Sequence, residues 1–270
     1  MNKMEKHYLE NGCIKELWFD EDGKLYIEKY YNKDNKIHRD GDKPAVIKYN
    51  KGGSIFYEHY CKNGMFHRDG DKPAMIKYYT NGSIFYKCYY KNGWLHRDSD
   101  KHAVIRYNND GSILYKYYYK DGRIHRDGDK PAIIEYGKVD FKYYETYYKN
   151  GELHRDGDKP ASIHYYDNGI ISNKLYYKNN KLHRDDDKPA MIEYDSYGSI
   201  LYESYCKNGM FHRDGDKPAI IKYYTDSSIA EKSYYKNGAP HRDDDKPTIV
   251  EYDIDGSIIY ESYLKSECII

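Results

Sequence analysis

The sequence has little aliphatic material and no long hydrophobic run. Hydrophobic residues make up 39% of its 270 residues and charged residues 33%, whereas an ordinary globular chain is richer in the former and poorer in the latter. No stretch approaches the roughly 18 consecutive apolar residues of a membrane-spanning helix, and residues 1–12 lack the apolar segment of a secretory signal. We therefore expect no transmembrane segment, no secretory leader and no large aliphatic core.

The sequence also lacks an excess of charge of either sign and lacks paired cysteines. Lys and Arg number 44, as do Asp and Glu, so the basic field and motifs of DNA-binding proteins are missing. Five cysteines without a Cys-x-x-Cys spacing predict free thiols in a reducing compartment, and hence a cytoplasmic location. These cysteines are Cys13, Cys61, Cys88, Cys206 and Cys268.

What the sequence has in quantity is tyrosine. It contains 37 Tyr, against 6 Phe and 2 Trp. Because disordered chains are poor in aromatic residues, this composition excludes simple disorder. The tyrosine ring is apolar while its hydroxyl stays hydrated, which favours a thin architecture in which few residues are fully buried.

One segment is repeated along most of the chain. The triplet His-Arg-Asp occurs eight times, always 29 residues apart. A Tyr and a Lys stand seven and five residues before each histidine, and another Tyr stands eleven residues after it. A fixed period of this kind predicts a repeat array that cannot be divided into independent domains. The histidines are His38, His67, His96, His125, His154, His183, His212 and His241.

Each repeat has the pattern of short strands joined by turns. Residues 74–78 alternate in polarity and predict a strand, and the Asn-Gly turn at 80–83 leads to a second strand over 84–91. A second Asn-Gly turn, a brief segment over 94–96 and a loop over 97–101 complete the repeat. This pattern predicts an elongated all-β antiparallel array of stacked hairpins. We assign residues 31–248 to eight repeats, 1–30 to an N-terminal cap with a degenerate half-repeat, and 249–270 to a C-terminal capping hairpin.

The repeat resembles that of the MORN repeat proteins. Lys62-Asn63-Gly64-Met65-Phe66-His67, with the Ile-x-Tyr strand and the Asn-Gly-Ser turn that follow, is similar to that family's Tyr-Glu-Gly-x-Trp-x-x-Gly and His-Gly-x-Gly pattern over roughly residues 18–265. The step His-Arg-Asp-Gly-Asp-Lys-Pro-Ala is similar to the MORN-like proteins that giant DNA viruses of amoebae encode. The resemblance implies a single-layer twisted sheet of stacked hairpins, with a closed β-solenoid as the alternative. It implies a scaffold without a reaction and, for a viral protein, a place in the host cytoplasm or the virion.

Motifs that carry chemistry elsewhere lack their required partners here. His-Arg-Asp also marks the catalytic loop of protein kinases, but the Asn needed five residues after the Asp is Ala74 after Asp69. One Asp-rich loop supplies two carboxylates, neutralised by Arg and Lys, whereas Ca²⁺ takes roughly six to eight oxygens. Calcium shared between two loops stays open, and the structural alternative is that these Asp side chains cap backbone N–H groups and pair with Arg of the adjacent repeat. A row of single histidines lacks the ligand set of structural zinc, so we predict no enzyme activity, no metal and no cofactor.

Two rows of side chains are candidate binding surfaces. The recurrent Lys and the Arg of the triplet form a stripe suited to an anionic lipid, glycan or RNA. The second residue of each Tyr pair points to the less buried side of the sheet and forms a candidate protein-binding face. The stripe comprises Arg68, Arg97, Arg126, Arg155, Lys62, Lys91, Lys120 and Lys149, and the face comprises Tyr90, Tyr119, Tyr148, Tyr177 and Tyr235.

Both rows also have a purely structural explanation. Regular charge in a repeat forms cross-strand pairs on a solvated surface, and a single-layer sheet needs cover on both faces. We predict a non-enzymatic scaffold that binds protein partners, or a second copy of itself, along the Tyr face. The alternative is a binding module for an anionic lipid, glycan or RNA on the stripe.

Overall fold

The computed structural model describes residues 3–10, 12–137 and 141–264, and every helix or strand assigned in these ranges is a β-strand. The predicted all-β class is therefore confirmed. The chain forms two compact units, residues 1–127 and residues 128–270.

The first unit contains strands β1 to β15. Their bounds are β1 (Lys3–Tyr8), β2 (Ile14–Phe19), β3 (Leu25–Tyr31), β4 (Val46–Tyr49), β5 (Ile55–His59), β6 (Cys61–Lys62), β7 (Met65–Phe66), β8 (Met75–Tyr78), β9 (Ile84–Cys88), β10 (Tyr90–Lys91), β11 (Trp94–Leu95), β12 (Val104–Tyr107), β13 (Ile113–Tyr117), β14 (Tyr119–Lys120) and β15 (Arg123–Ile124).

The second unit contains strands β16 to β33. Their bounds are β16 (Ile133–Tyr136), β17 (Lys142–Thr146), β18 (Tyr148–Lys149), β19 (Glu152–Leu153), β20 (Ser162–Tyr165), β21 (Ile171–Leu175), β22 (Tyr177–Lys178), β23 (Lys181–Leu182), β24 (Met191–Tyr194), β25 (Ile200–Ser204), β26 (Cys206–Lys207), β27 (Met210–Phe211), β28 (Ile220–Tyr223), β29 (Ile229–Ser233), β30 (Tyr235–Lys236), β31 (Ala239–Pro240), β32 (Ile249–Tyr252) and β33 (Ile258–Ser262).

The longer strands of each unit form an antiparallel meander. The order in the first unit is β1-β2-β3-β4-β5-β8-β9-β12-β13, and in the second it is β16-β17-β20-β21-β24-β25-β28-β29-β32-β33. The two-residue strands pair separately as minor hairpins, such as β10 with β11. Every strand pair within the described ranges is antiparallel, whereas a solenoid stacks parallel strands. The repeated hairpins are thus confirmed, and the closed solenoid is not formed.

The turn predicted at residues 80–83 joins β8 to β9. The backbone N–H of Tyr79 donates to the carbonyl of Ser83 at 2.9 Å, and Gly82 N–H donates to the carbonyl of Tyr79 at 3.0 Å. Gly82 has a φ of +85°, a left-handed conformation that residues with a Cβ adopt only under strain. The predicted Asn-Gly turn is therefore confirmed, together with the strand on either side of it.

The second strand of the repeat is shorter than the predicted 84–91, because the chain leaves the large sheet at Tyr89. The N–H of Tyr89 donates to Ala103 of the next repeat at 2.7 Å, while its carbonyl accepts the N–H of His96 at 3.1 Å. One residue thus closes the sheet on one side and the minor hairpin on the other. The period-two sequence pattern runs unbroken through this point, so it does not show the break.

A thin core lies where the alanine of each repeat meets the tyrosine before the minor hairpin. Tyr60, Ala74 and Ile76 form such a cluster, and the alanine is fully buried in seven repeats, with Thr248 in its place in the eighth. The N–H of Tyr60 donates to Ala74 at 2.7 Å, and that of Ala74 to Cys88 at 2.9 Å. This buried position between hydrogen-bonded backbones favours a small side chain, which explains the recurrent alanine.

Alternation along the strands gives the sheet two chemically different faces. In β8, Ile76 and Tyr78 lie on the same face as Ala74. The residues of this face repeat with little change along the chain, and we call it the uniform face. Met75 and Lys77 lie on the opposite face. We call it the variable face, because its positions hold Lys, Arg, Glu or His in different repeats.

The first repeat has a shifted register. Counting seven residues back from His38 leads to Tyr31, yet Tyr30 donates its N–H to Ala45 and occupies the buried position. The turn between Asn32 and Lys36 is one residue longer than in the other repeats, and it is closed by a bridge between Tyr31 and Ile37. The residue that corresponds to Tyr60 in the first repeat is therefore Tyr30, one residue before the position that the sequence spacing indicates.

Candidate interaction surface

Most histidines of the triplet link their own loop to the next repeat. His67 Nε2 lies 2.9 Å from Asp69 Oδ1, and its Nδ1 accepts the backbone N–H of Asn92 at 3.2 Å. Since Nδ1 accepts a hydrogen bond, the proton of the neutral ring lies on Nε2 and is donated to Asp69. No three His, Cys, Asp or Glu side chains come together as a metal site in the described parts of the chain.

The arginines of the predicted stripe tie each repeat to the one before it. Arg97 donates to Asp71 through Nε at 2.6 Å and through a terminal nitrogen at 3.3 Å. Its other terminal nitrogen donates to the carbonyl of His102 at 3.3 Å, and the guanidinium lies 3.6 Å above the Tyr89 ring. Its side chain is only 14% exposed. The same pairing with an Asp of the preceding repeat is formed by Arg68, Arg126 and Arg155.

A lysine completes the ion pairs of Asp42, Asp71 and Asp129. Lys101 Nζ donates to the second carboxylate oxygen of Asp71 at 2.6 Å. The hydrogen bonds from Arg97 and Lys101 lower the pKa of Asp71 to about 2. The two consecutive left-handed residues Ser99 and Asp100, with φ of +64° and +53°, form the tight loop that aims the equivalent carboxylate, Asp100, at Arg126.

The lysines of the predicted stripe lie beside carboxylates of their own repeats. Lys91, Lys120 and Lys149 are about half exposed and pair with the Asp of their own triplet at 3.3, 3.0 and 2.9 Å. Lys62 holds the same place in β6, and its charge adds to the effect of His67 in lowering the pKa of Asp69. The structure therefore brings the Arg and Lys rows together, with an Asp beside each cation.

The tyrosines of the predicted protein-binding face are half-buried. Tyr90 pairs across its minor hairpin with Leu95, its ring stacks on Phe66 of the preceding repeat at 4.9 Å, and burial raises its pKa to about 12. The others, Tyr119, Tyr148, Tyr177 and Tyr235, occupy the same position in their minor hairpins. These rings cover the variable face, and part of each stays accessible.

Two exposed apolar side chains lie next to this row and were not among the predicted residues. Trp94 is 65% exposed and Met65 is 48% exposed, and both are the third residue after the stripe lysine of their minor hairpins. A Cβ placed on Gly122 would overlap the Trp94 ring, so the indole lies flat on the backbone of the next repeat. Two features of the sequence could have identified these residues. They hold the same position in successive repeats, and Trp occurs only twice in the chain.

The cysteines are reduced where the structure describes them. Cys61, Cys88 and Cys206 are buried free thiols, and Cys13 is half-buried. Burial raises the pKa of Cys61 to about 11, so it is an unreactive thiol at neutral pH. Cys268 lies outside the described residues.

The chain matches no known protein-family model and no curated protein. Its geometry is therefore the basis for assigning a function. None of the described segments forms a helix of the length and apolar character needed to cross a membrane.

Proposed function

We propose that this chain is a non-enzymatic interaction scaffold with a MORN-like repeat, and that it binds protein partners along its minor hairpins. The observation that carries the proposal is the exposure of Trp94, at 65%, next to the half-exposed Met65 of the preceding repeat. Trp is the residue type most enriched at binding hot spots, and an apolar neighbour extends the contact.

These two side chains are held in place before any partner arrives. Trp94 rests on Gly122, and Met65 lies 3.6 Å from the Cβ position of Gly93. Each is therefore braced by the backbone of the next repeat. A braced side chain loses little conformational entropy on binding, which favours affinity.

The surroundings of Trp94 favour an acidic partner segment. Lys91 faces Trp94 across the minor hairpin, as Lys62 faces Met65. In the next repeat, Arg123 holds the position of Trp94 and adds a further positive charge. Asp98 neutralises part of this charge through its pair with Lys91. We propose a protein segment with an apolar anchor for the Trp94 and Met65 surface, flanked by Asp or Glu.

The anionic lipid, glycan or RNA alternative has less support. Arg97 directs its Nε and both terminal nitrogens at Asp71 and at the carbonyl of His102. An anion at this place would have to displace a bidentate carboxylate from a largely buried guanidinium. The stripe lysines are more accessible, but most have a carboxylate within reach.

The test is selection of a displayed random peptide library on the purified full chain, with Trp94→Ser as the counter-selection target. We expect enriched peptides with an aromatic or aliphatic residue between Asp or Glu residues, and we expect them to bind Trp94→Ser at least about tenfold more weakly. Tyr197→Ser is the matched control, because Tyr197 is 90% exposed in a turn of the second unit. Peptides that bind Trp94→Ser as well as the unmodified chain would overturn the assignment.

A further inference from the structure

The variable face of the second unit contains a pocket of about 420 Å³ between β17 and β20. Tyr144, Leu153 and Tyr177 line it with apolar surface, and Thr146 and His164 contribute polar atoms. Small-molecule sites in proteins have volumes of about 300–1,000 Å³. Because a cavity of about 150 Å³ holds benzene, this pocket has room for a molecule of one or two fused rings.

In two repeats of the first unit, a ring of the chain itself fills the equivalent space. Three repeats before Thr146 stands His59, whose imidazole stacks on Tyr57 with ring centroids 4.3 Å apart and planes 10° from parallel. One repeat before Thr146 stands Tyr117, which stacks on Tyr115 at 4.4 Å and 21°. In both repeats a flat ring thus covers the tyrosine two residues earlier in the same strand.

This stacking is missing in β17, where Tyr144 holds the place of Tyr57. The residue two positions later is Thr146, whose side chain is too small to cover the tyrosine ring. The ring contact that Tyr144 does form is perpendicular, with His164 of β20 at 5.0 Å and 86°, and no other described ring lies parallel to it. The pocket is therefore the space of a missing ring beside Tyr144.

Two further replacements enlarge this space. Leu153 stands where the first unit has Phe66, whose ring meets that of His59 at 5.1 Å. Ser162 stands where the first unit has Met75. Both replacements are smaller side chains, so the volume that the first unit fills with its own atoms is open in the second.

Thr146 also brings an unsatisfied polar group to the pocket that it lines. Its hydroxyl has no hydrogen-bond partner in the described structure, although the residue is only 1% exposed. A buried hydroxyl without a partner costs free energy, and such groups are normally satisfied by a ligand or water. Ser204 has an unpartnered hydroxyl as well, but it does not line the pocket. The missing ring and the unpartnered hydroxyl thus coincide at Thr146.

The lining favours a neutral occupant. It contains no Lys or Arg, and its one acid, Glu135, already takes part in an interaction within the chain. Burial lowers the pKa of His164, so its imidazole is uncharged at pH 7. The Nε2 of His164 lies 3.1 Å from the hydroxyl oxygen of Ser162, so these two groups satisfy each other. No free charge of the lining is left to attract an ion.

We propose that this pocket binds a neutral, flat heteroaromatic molecule, whose ring stacks on Tyr144 and whose nitrogen or oxygen forms a hydrogen bond with the Thr146 hydroxyl. The ring takes the place that the imidazole of His59 holds in the first unit. This site lies in the other unit from Trp94 and Met65, and it binds a small molecule rather than a protein segment.

The test is equilibrium dialysis of the full chain against benzimidazole and against indene, two flat bicyclic molecules of nearly the same shape. Above about pH 7.5 the imidazole ring is neutral. Benzimidazole can then donate and accept hydrogen bonds, whereas indene has no hydrogen-bonding group. We expect saturable binding of benzimidazole and at least about tenfold weaker binding of indene. Equal affinity for the two probes, or no saturable binding of benzimidazole, would overturn the proposal.

A variant without the hydroxyl tests the assigned hydrogen bond. Thr146→Val keeps the branched shape of the side chain, and we expect it to weaken benzimidazole binding at least about fivefold while leaving indene binding unchanged. Ser204→Ala is the matched control, because it removes an unpartnered buried hydroxyl outside the pocket, and it should leave the binding of both probes unchanged. Benzimidazole binding that is as strong in Thr146→Val as in the unmodified chain would contradict the proposal.

A second variant tests whether the ligand takes the place of a ring. Thr146→His introduces the residue that the first unit already holds at this position, so we expect it to unfold at the same or a higher temperature. Its imidazole should stack on Tyr144, as that of His59 stacks on Tyr57, and should abolish the binding of both probes. Retained benzimidazole binding in this folded variant would place the ligand elsewhere and overturn the proposal.

Discussion

Arg97 holds Asp71 of the preceding repeat with two hydrogen bonds while its guanidinium lies 3.6 Å from the centroid of the Tyr89 ring. The two charged residues are 26 positions apart and join the loops of adjacent repeats. Because each loop both supplies an Asp and receives an Arg, the loops form a continuous series of ion pairs within each unit. The stability of a repeat is therefore coupled to that of its neighbour.

Removing the carboxylate that pairs with an arginine should lower the free energy of unfolding more than removing the other carboxylate of the same loop. Asp71→Ala leaves the largely buried Arg97 without its counter-charge, and we expect a loss of about 2 kcal/mol in the free energy of unfolding. Asp69→Ala is the control, since Asp69 is 84% exposed and accepts a hydrogen bond from His67 rather than from an arginine. Urea unfolding of the two variants measures this difference. An equal loss of unfolding free energy in both variants would contradict the structural role of Asp71.

The same carboxylates predict a loss of stability in acid. Their pKa values in the folded chain are lowered to about 2 for Asp42, Asp71, Asp187 and Asp216, in each case chiefly by the arginine of the next repeat. An unpaired Asp in the unfolded chain has a pKa of about 3.9. The stabilisation is therefore complete above that value and is lost as the pH falls through it towards 2. Thermal unfolding at constant ionic strength should show a falling midpoint between about pH 4 and pH 2, and a flat profile would contradict the ion pairs.

Gly122 is predicted to tolerate no side chain while Trp94 is present. Gly122→Ala adds a Cβ that overlaps the indole and also places a non-glycine residue at a φ of +77°. Gly111→Ala, at a φ of +87° with no atom within 4 Å, measures the backbone strain alone, about 1 kcal/mol. We expect Gly122→Ala to cost roughly 1 kcal/mol more than this control and to shift the tryptophan fluorescence. Combining it with Trp94→Ala should reduce the cost to that of the control, and an unreduced cost would show that the ring is not the obstacle.

The strands and turns of the repeat could be predicted from the sequence because they depend on local chemistry. Alternating polarity located β8 and β9, and Asn81-Gly82 located the turn between them. The break at Tyr89 could not be predicted, because it depends on hydrogen bonds to Ala103 in the next repeat. The pairing of a loop Asp with an Arg of the adjacent repeat could be inferred from the sequence, but the choice of Asp71 as the partner of Arg97 depends on the geometry of the loop. The exposure of Trp94 could not be predicted either, because it depends on which residues pack over the minor hairpin.

Replacing arginine with lysine separates the structural role of the stripe from anion binding. Arg97→Lys keeps the positive charge but cannot form the bidentate contact to Asp71 or the flat contact to Tyr89. If the guanidinium is structural, the variant should lose about 1–2 kcal/mol of unfolding free energy, with no change in peptide binding at Trp94. If the stripe instead recognises an anionic ligand by charge, binding of heparin or anionic vesicles should be measurable and should survive the replacement. Sedimentation with vesicles and urea unfolding of one protein sample therefore measure both properties, and an unchanged stability with retained anion binding would favour the stripe over the scaffold.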